Sequence, residues 1–219
     1  MMLRFPADGI PSRRTFLRMS SVALALPAFS SSLEGRPAEE SNTIVGPKKG
    51  YSPQIGTLVS EMAFMREQVL SSAKGLSQAD LDFLLDGKAN TIGALLLHLA
   101  ATEKFYQLNT FQNLATDKIP EPFKEQWGMP MELGEPARKG IRGHPLDYYL
   151  NALHETREAT LSEFRKRDDE WLLAVDKSWG WGPTNNYCKW FHVTEHEANH
   201  NGQIKLLKGR LPGAKSSSE

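Results

Sequence analysis

Cysteine is almost missing from this chain: Cys188 is the only one in 219 residues. An intrachain disulfide and a cysteine-rich zinc site are therefore excluded, and a lone cysteine is expected to be a small buried residue rather than a nucleophile. A charge surplus is also missing, with 26 basic residues against 26 acidic ones. That balance lacks the electrostatic footprint of a nucleic-acid binder, so no nucleic-acid partner is expected. No apolar run is long enough for a transmembrane helix in the mature chain, and no stable membrane anchor is expected. What remains is ordinary apolar content and a length suited to one domain of about 150 to 200 residues with a proper core.

The N-terminus reads as an address. Ser12-Arg13-Arg14-Thr15-Phe16-Leu17 resembles the twin-arginine export signal. A weakly apolar run from Met19 to Ala28 follows, then Ala28-Phe29-Ser30, a small-x-small cleavage pattern. Residues 1–30 are expected to be a signal peptide and the mature protein to be periplasmic or otherwise extracytoplasmic. Their removal takes away four Arg and one Asp, leaving 22 basic and 25 acidic residues. Residues 31–50, rich in Ser, Gly, Pro, Glu and Lys, read as a linker.

Residues 51–212 carry four helical patterns. The first runs from about Ser52 to Lys74, with Ile55, Leu58, Met62, Met65 and Val69 at intervals of three and four. The second starts at the capping pair Asn90-Thr91 and reaches about Phe111, with Leu95, His98, Thr102 and Phe105 inward. The third spans about Pro145 to Arg167, burying Leu146, Tyr149, Leu150, Leu153, Leu161 and Phe164. The fourth runs from about Asn186 to Gly209 or Arg210, and residues 213–219 read as a disordered tail. Leu81, Phe83 and Leu84 are expected to lid the core from the first connection. Residues 112–145, with five prolines and four glycines, are expected to be an irregular segment with His144 exposed. Arg165 to Glu170 reads as a solvated helix end. Trp179 and Trp181 either line a pocket or pack the open end of the bundle.

The fourth helix concentrates the chemistry. His192, His196 and His200 recur every four residues and share a face with Val193, Ile204 and Leu207. Imidazoles aimed at a core need partners, and a metal ion is a common one. Adjacent turns can chelate one ion, but His192 and His200 lie about 12 Å apart along the axis, too far to share it. Both H-E-x-x-H, from His196 through Glu197 to His200, and H-x-x-E-H, from His192 to His196, match metallopeptidase patterns. Only nineteen residues follow His200, however, and their one acidic or imidazole side chain is Glu219. A third ligand must then come from upstream, where His98 sits in a core stripe. On a helix Glu197 points about 100° away from His196, which weighs against a peptidase. His98, His196 and His200 are accordingly expected to converge on one divalent ion, with His192 bonded elsewhere.

Three segments, Asn90 to Glu103, Gly143 to Leu150 and His192 to Ile204, resemble the signatures of the DinB-like metal-binding superfamily. The resemblance implies an all-α, up-down-down-up four-helix bundle, often a homodimer, with His98, His196 and His200 holding zinc, nickel or iron. Ala198 and Gly202 stand where a sulfoxide-synthase branch would carry Glu. The resemblance further implies a small-molecule partner, a low-molecular-weight thiol activated by the metal for transfer, or a water activated for hydrolysis. A non-catalytic metal-binding protein is the second expectation and an H-E-x-x-H metallopeptidase the third.

Overall fold

A computed structural model describes residues 41–214 of the chain. The expected export signal and cleavage site and the last five residues lie outside the described residues. Residues 41–50 form turns beside the first helix, where the Asn42 amide donates to Glu67 and the Gly46 N–H donates to Ser60 Oγ.

Four long helices make the body: α1 (Pro53–Ala73), α3 (Ile92–Phe111), α6 (Leu146–Phe164) and α8 (Asn186–Lys208). Two of them, α3 and α8, begin with a side-chain cap. Thr91 Oγ1 accepts from the Ala94 N–H at 3.1 Å and Asn185 Oδ1 from the Cys188 N–H at 2.8 Å. Past the end of α1, Gly75 takes φ +76°, the left-handed C-terminal stop that a side chain would strain. Between them lie the short helices α2 (Gln78–Leu81), α4 (Glu121–Glu132), α5 (Gly134–Gly140) and α7 (Asp169–Leu173). A two-stranded hairpin pairs β1 (Val175–Asp176) with β2 (Thr184–Asn185). Among the described residues no helix is long and apolar enough to cross a membrane.

The chain direction follows from two apolar clusters. One holds Val69, Ala73, Leu95, Leu96, Tyr149, Leu153, Ile204 and Leu207; the other holds Ile55, Leu58, Met62, Tyr106, Phe164, Trp190 and Val193. Helices α1 and α8 run from the second cluster to the first, and α3 and α6 run the other way. The order is therefore up-down-down-up. Helices α3 and α6 are parallel neighbours, which requires a long crossover. Their contact is close: a Cβ on Gly93 would stand 2.7 Å from the Tyr149 ring.

That crossover is where the sequence expectation fails. Residues 112–145 are mostly helical, as α4 and α5, rather than irregular. Pro122 and Pro136 fall in first turns, where no intrahelical N–H is needed, so proline there starts helices instead of breaking them. The break comes at Leu133, whose φ of +56° is strained for a leucine. His144 is half-buried rather than exposed, stacked on Tyr148 with ring centroids 4.0 Å apart. Leu81 is buried as expected, but Leu84 is exposed and Phe83 only half-buried. The charged run after α6 is mostly exposed, as expected, but two of its residues also cap helices. Asp168 caps α7, and Asp169 reaches across to accept from the Gln54 N–H at 3.1 Å and the Ser52 hydroxyl, capping α1 from outside. Cys188 is exposed, because it lies on the outer face of α8 with Phe191 and Glu195.

Candidate metal centre

Between the two apolar clusters lies a polar layer, and its outer edge is imidazole. Helix α3 brings His98 against α8, where His196 and His200 occupy successive turns. His98 Nε2 stands 2.8 Å from His196 Nε2, and His200 Nε2 stands 3.1 Å from the same atom. One ligating nitrogen from each ring lies within 4.8 Å of the others. The structure thus brings together His98, His196 and His200.

Two ring orientations are set by partners that the sequence did not announce. Pro130 carbonyl oxygen accepts from His98 Nδ1 at 2.8 Å. It belongs to the last turn of α4, where carbonyls have no partner within the helix. Gln203 Oε1 accepts from His200 Nδ1 at 3.1 Å. Both rings therefore carry their proton on Nδ1 and turn an Nε2 lone pair toward His196. Burial pushes the His98 pKa down to about 4 and that of His196 down to about 3, with His200 and His98 adding repulsion at His196. Burial lowers His200 as well. All three imidazoles are neutral at pH 7. His98 and His200 both aim a lone pair at His196 Nε2, at 2.8 and 3.1 Å; one proton on His196 can serve only one of them well, whereas a cation between the rings serves all three. A tetrahedral ion needs its nitrogen ligands about 3.4 Å apart, which a small ring adjustment supplies. The donor set fits zinc, nickel or iron(II), and three ligands leave a coordination position open.

His192 is not in that group. Its Nδ1 lies 2.9 Å from the Tyr106 hydroxyl, and its ring sits edge-on to Trp181 with centroids 5.0 Å apart. Trp179 is buried against Phe105 and Tyr106, whereas Trp181 is 58% exposed. The first tryptophan packs the bundle end and the second rims the site. The hairpin carrying both is anchored by Lys189, which donates to Asp176 and Asn109 at 2.8 Å each.

Glu197 faces the interior, at 1% exposure. Arg66 Nε and Arg157 Nη2 donate to its Oε1 at 3.0 and 2.8 Å. The same two arginines bond Glu103, and their remaining donors go to the Leu153 and Met62 carbonyls. Burial would raise the Glu103 carboxyl, but Arg157 and Arg66 outweigh it and hold it below its usual range. A glutamate bound by two guanidiniums is not a free base at an open coordination position, so the H-E-x-x-H pattern here is coincidental. Sequence reasoning missed this four-charge cage. Its signal was available: Arg66 falls on the stripe of Met62 and Val69, and Arg157 on that of Leu153 and Phe164.

A four-helix bundle with this strand-free core, this crossover and three histidines from its second and last long helices is a DinB-like protein. More narrowly, the chain belongs to the mycothiol-S-transferase family, whose sequence model matches residues 57–213. That span contains the three histidines, His192 and the whole cage. Comparison with curated proteins finds no match.

Proposed function

We propose that this protein is a metal-dependent S-transferase. His98, His196 and His200 would hold one divalent ion, and a low-molecular-weight thiol, mycothiol by the family's description, would be the nucleophile. The observation that carries the proposal is the clustering of three buried or half-buried imidazole nitrogens within 4.8 Å of one another in a chain of the mycothiol-S-transferase family. When bound, the ion would supply the positive charge that lowers a thiol's pKa. The chain's own part is to hold the ligands: Pro130 and Gln203 fix two rings, and the Arg66–Glu103–Arg157–Glu197 cage fixes the rotation of α8. The test is direct. Zinc-, nickel- or iron-loaded protein with mycothiol and a chlorodinitroarene should form the aryl thioether and release chloride and a proton, and His98→Ala should abolish turnover. Loaded protein that binds metal tightly yet transfers no thiol would favour the non-catalytic metal-binding alternative.

Delivery to the periplasm by the twin-arginine route is proposed alongside, on the Ser12 to Leu17 motif. Replacing Arg13 and Arg14 by Lys should leave precursor in the cytoplasm; undiminished periplasmic protein would refute export by that route.

A further inference from the structure

His192 lies on the stripe of His196 and His200, yet its environment is the reverse of theirs. Tyr106 is 3% exposed, and its hydroxyl has one partner among the described residues, His192 Nδ1 at 2.9 Å. A buried O–H left without an acceptor is costly, so the phenol donates and Nδ1 accepts. The imidazole proton is then on Nε2. The nearest carboxylate to that atom, Glu195 Oε2, is 3.9 Å away, beyond hydrogen-bonding distance. His192 is half-buried, with its ring centroid 5.2 Å from that of His196. The other two oriented rings turn lone pairs inward; this one presents an N–H beside them, with its lone pair already used.

We propose that His192 is a hydrogen-bond donor to the anionic ligand atom that takes the open coordination position, with its proton held on Nε2 by the Tyr106 hydroxyl. It is a positioning group: it recognises an anion and neither ligates the metal nor removes a proton. Trp181, edge-on to the same ring, closes the outer side and keeps the imidazole from swinging away. The inference deepens the proposed thiol site and rests on it for the identity of the physiological anion, but the donor itself serves any small anion.

Cobalt(II)-loaded full-length protein tests it with two probes, 2-mercaptoethanol and azide. The d–d spectrum without either probe should be the same in wild type and His192→Leu, since His192 is no ligand. Affinity for both probes should fall about tenfold or more in His192→Leu, the usual effect of losing one hydrogen bond to a charged group. Tyr106→Phe, which frees the tautomer, should lose part of that affinity, and His192→Gln, which keeps a donor, should recover most of it. Unchanged anion affinity in His192→Leu overturns the proposal, as does a changed spectrum before any anion is added. If wild type shows no thiolate-to-cobalt band, the thiol reading fails, and the azide arm still decides the role of His192.

Discussion

His200→Ala is expected to release the metal. Wild-type protein purified without chelator should carry one divalent ion per chain, and the variant close to none, by elemental analysis. The ion binds the folded state, so saturation at 100 to 1,000 times Kd adds about 3 to 4 kcal/mol. For a domain of this size that is about 10 °C in Tm. Chelator should lower the wild-type Tm by that amount and leave His200→Ala unmoved; a chelator-sensitive variant with normal metal content would exclude the three-histidine centre. The pH dependence of the metal-free protein has a definite sign. The folded pKa values of His98 and His196, about 4 and about 3, lie below the unfolded value near 6.5, because burial opposes charging. Between those limits the unfolded chain binds more protons, so stability is full above about pH 6.5 and declines as the pH falls toward 4 and 3. Metal binding should accordingly survive to lower pH than ordinary histidines would allow.

Arg157→Ala is expected to be the most destabilising single change away from the metal. It removes a cation bonded to Glu103 at 2.8 Å and to Glu197 at 2.8 Å, leaving two carboxylates to share Arg66 in the interior. Breaking a buried pair from one side costs about 3 to 5 kcal/mol, because the surviving charge has lost its compensation. Denaturant unfolding should show that loss as a lower midpoint, and a change under about 1 kcal/mol would mean that water reaches the cage. Glu103→Ala should act similarly, since the Thr160 hydroxyl also donates to Glu103 at 2.7 Å. Removing the whole cage in favour of apolar residues of similar volume should cost less than either single change. Such a variant should still lose metal affinity if the cage sets the rotation of α8, because Glu197 lies between two ligands on the same helix.

The four long helices were legible in the chain because their cause is local. A 3.6-residue apolar period, Thr91 as a cap and Gly75 as a stop act within a few residues of where they stand; the equally local Asn185 cap was overlooked. The histidine set was legible for a related reason: four-residue spacing puts His196 and His200 on one face, and His98 sits on an apolar stripe where a lone imidazole needs a partner. The helical crossover was misread because proline was taken by its presence and not by its place in the first turn. Other features had no local cause. Asp169 caps a helix more than a hundred residues earlier. Pro130 reaches His98 only because α4 folds back on α3. Arg66, Glu103, Arg157 and Glu197 come from four separate helices and neutralise one another only once those helices are packed. The tautomers of His98 and His192 were decided in the same way, by the Pro130 carbonyl and the Tyr106 hydroxyl. His200 finds its acceptor, Gln203, within its own helix, but the proton on His98 and on His192 goes where a neighbour from another helix accepts or donates it, and that neighbour exists only in the folded bundle.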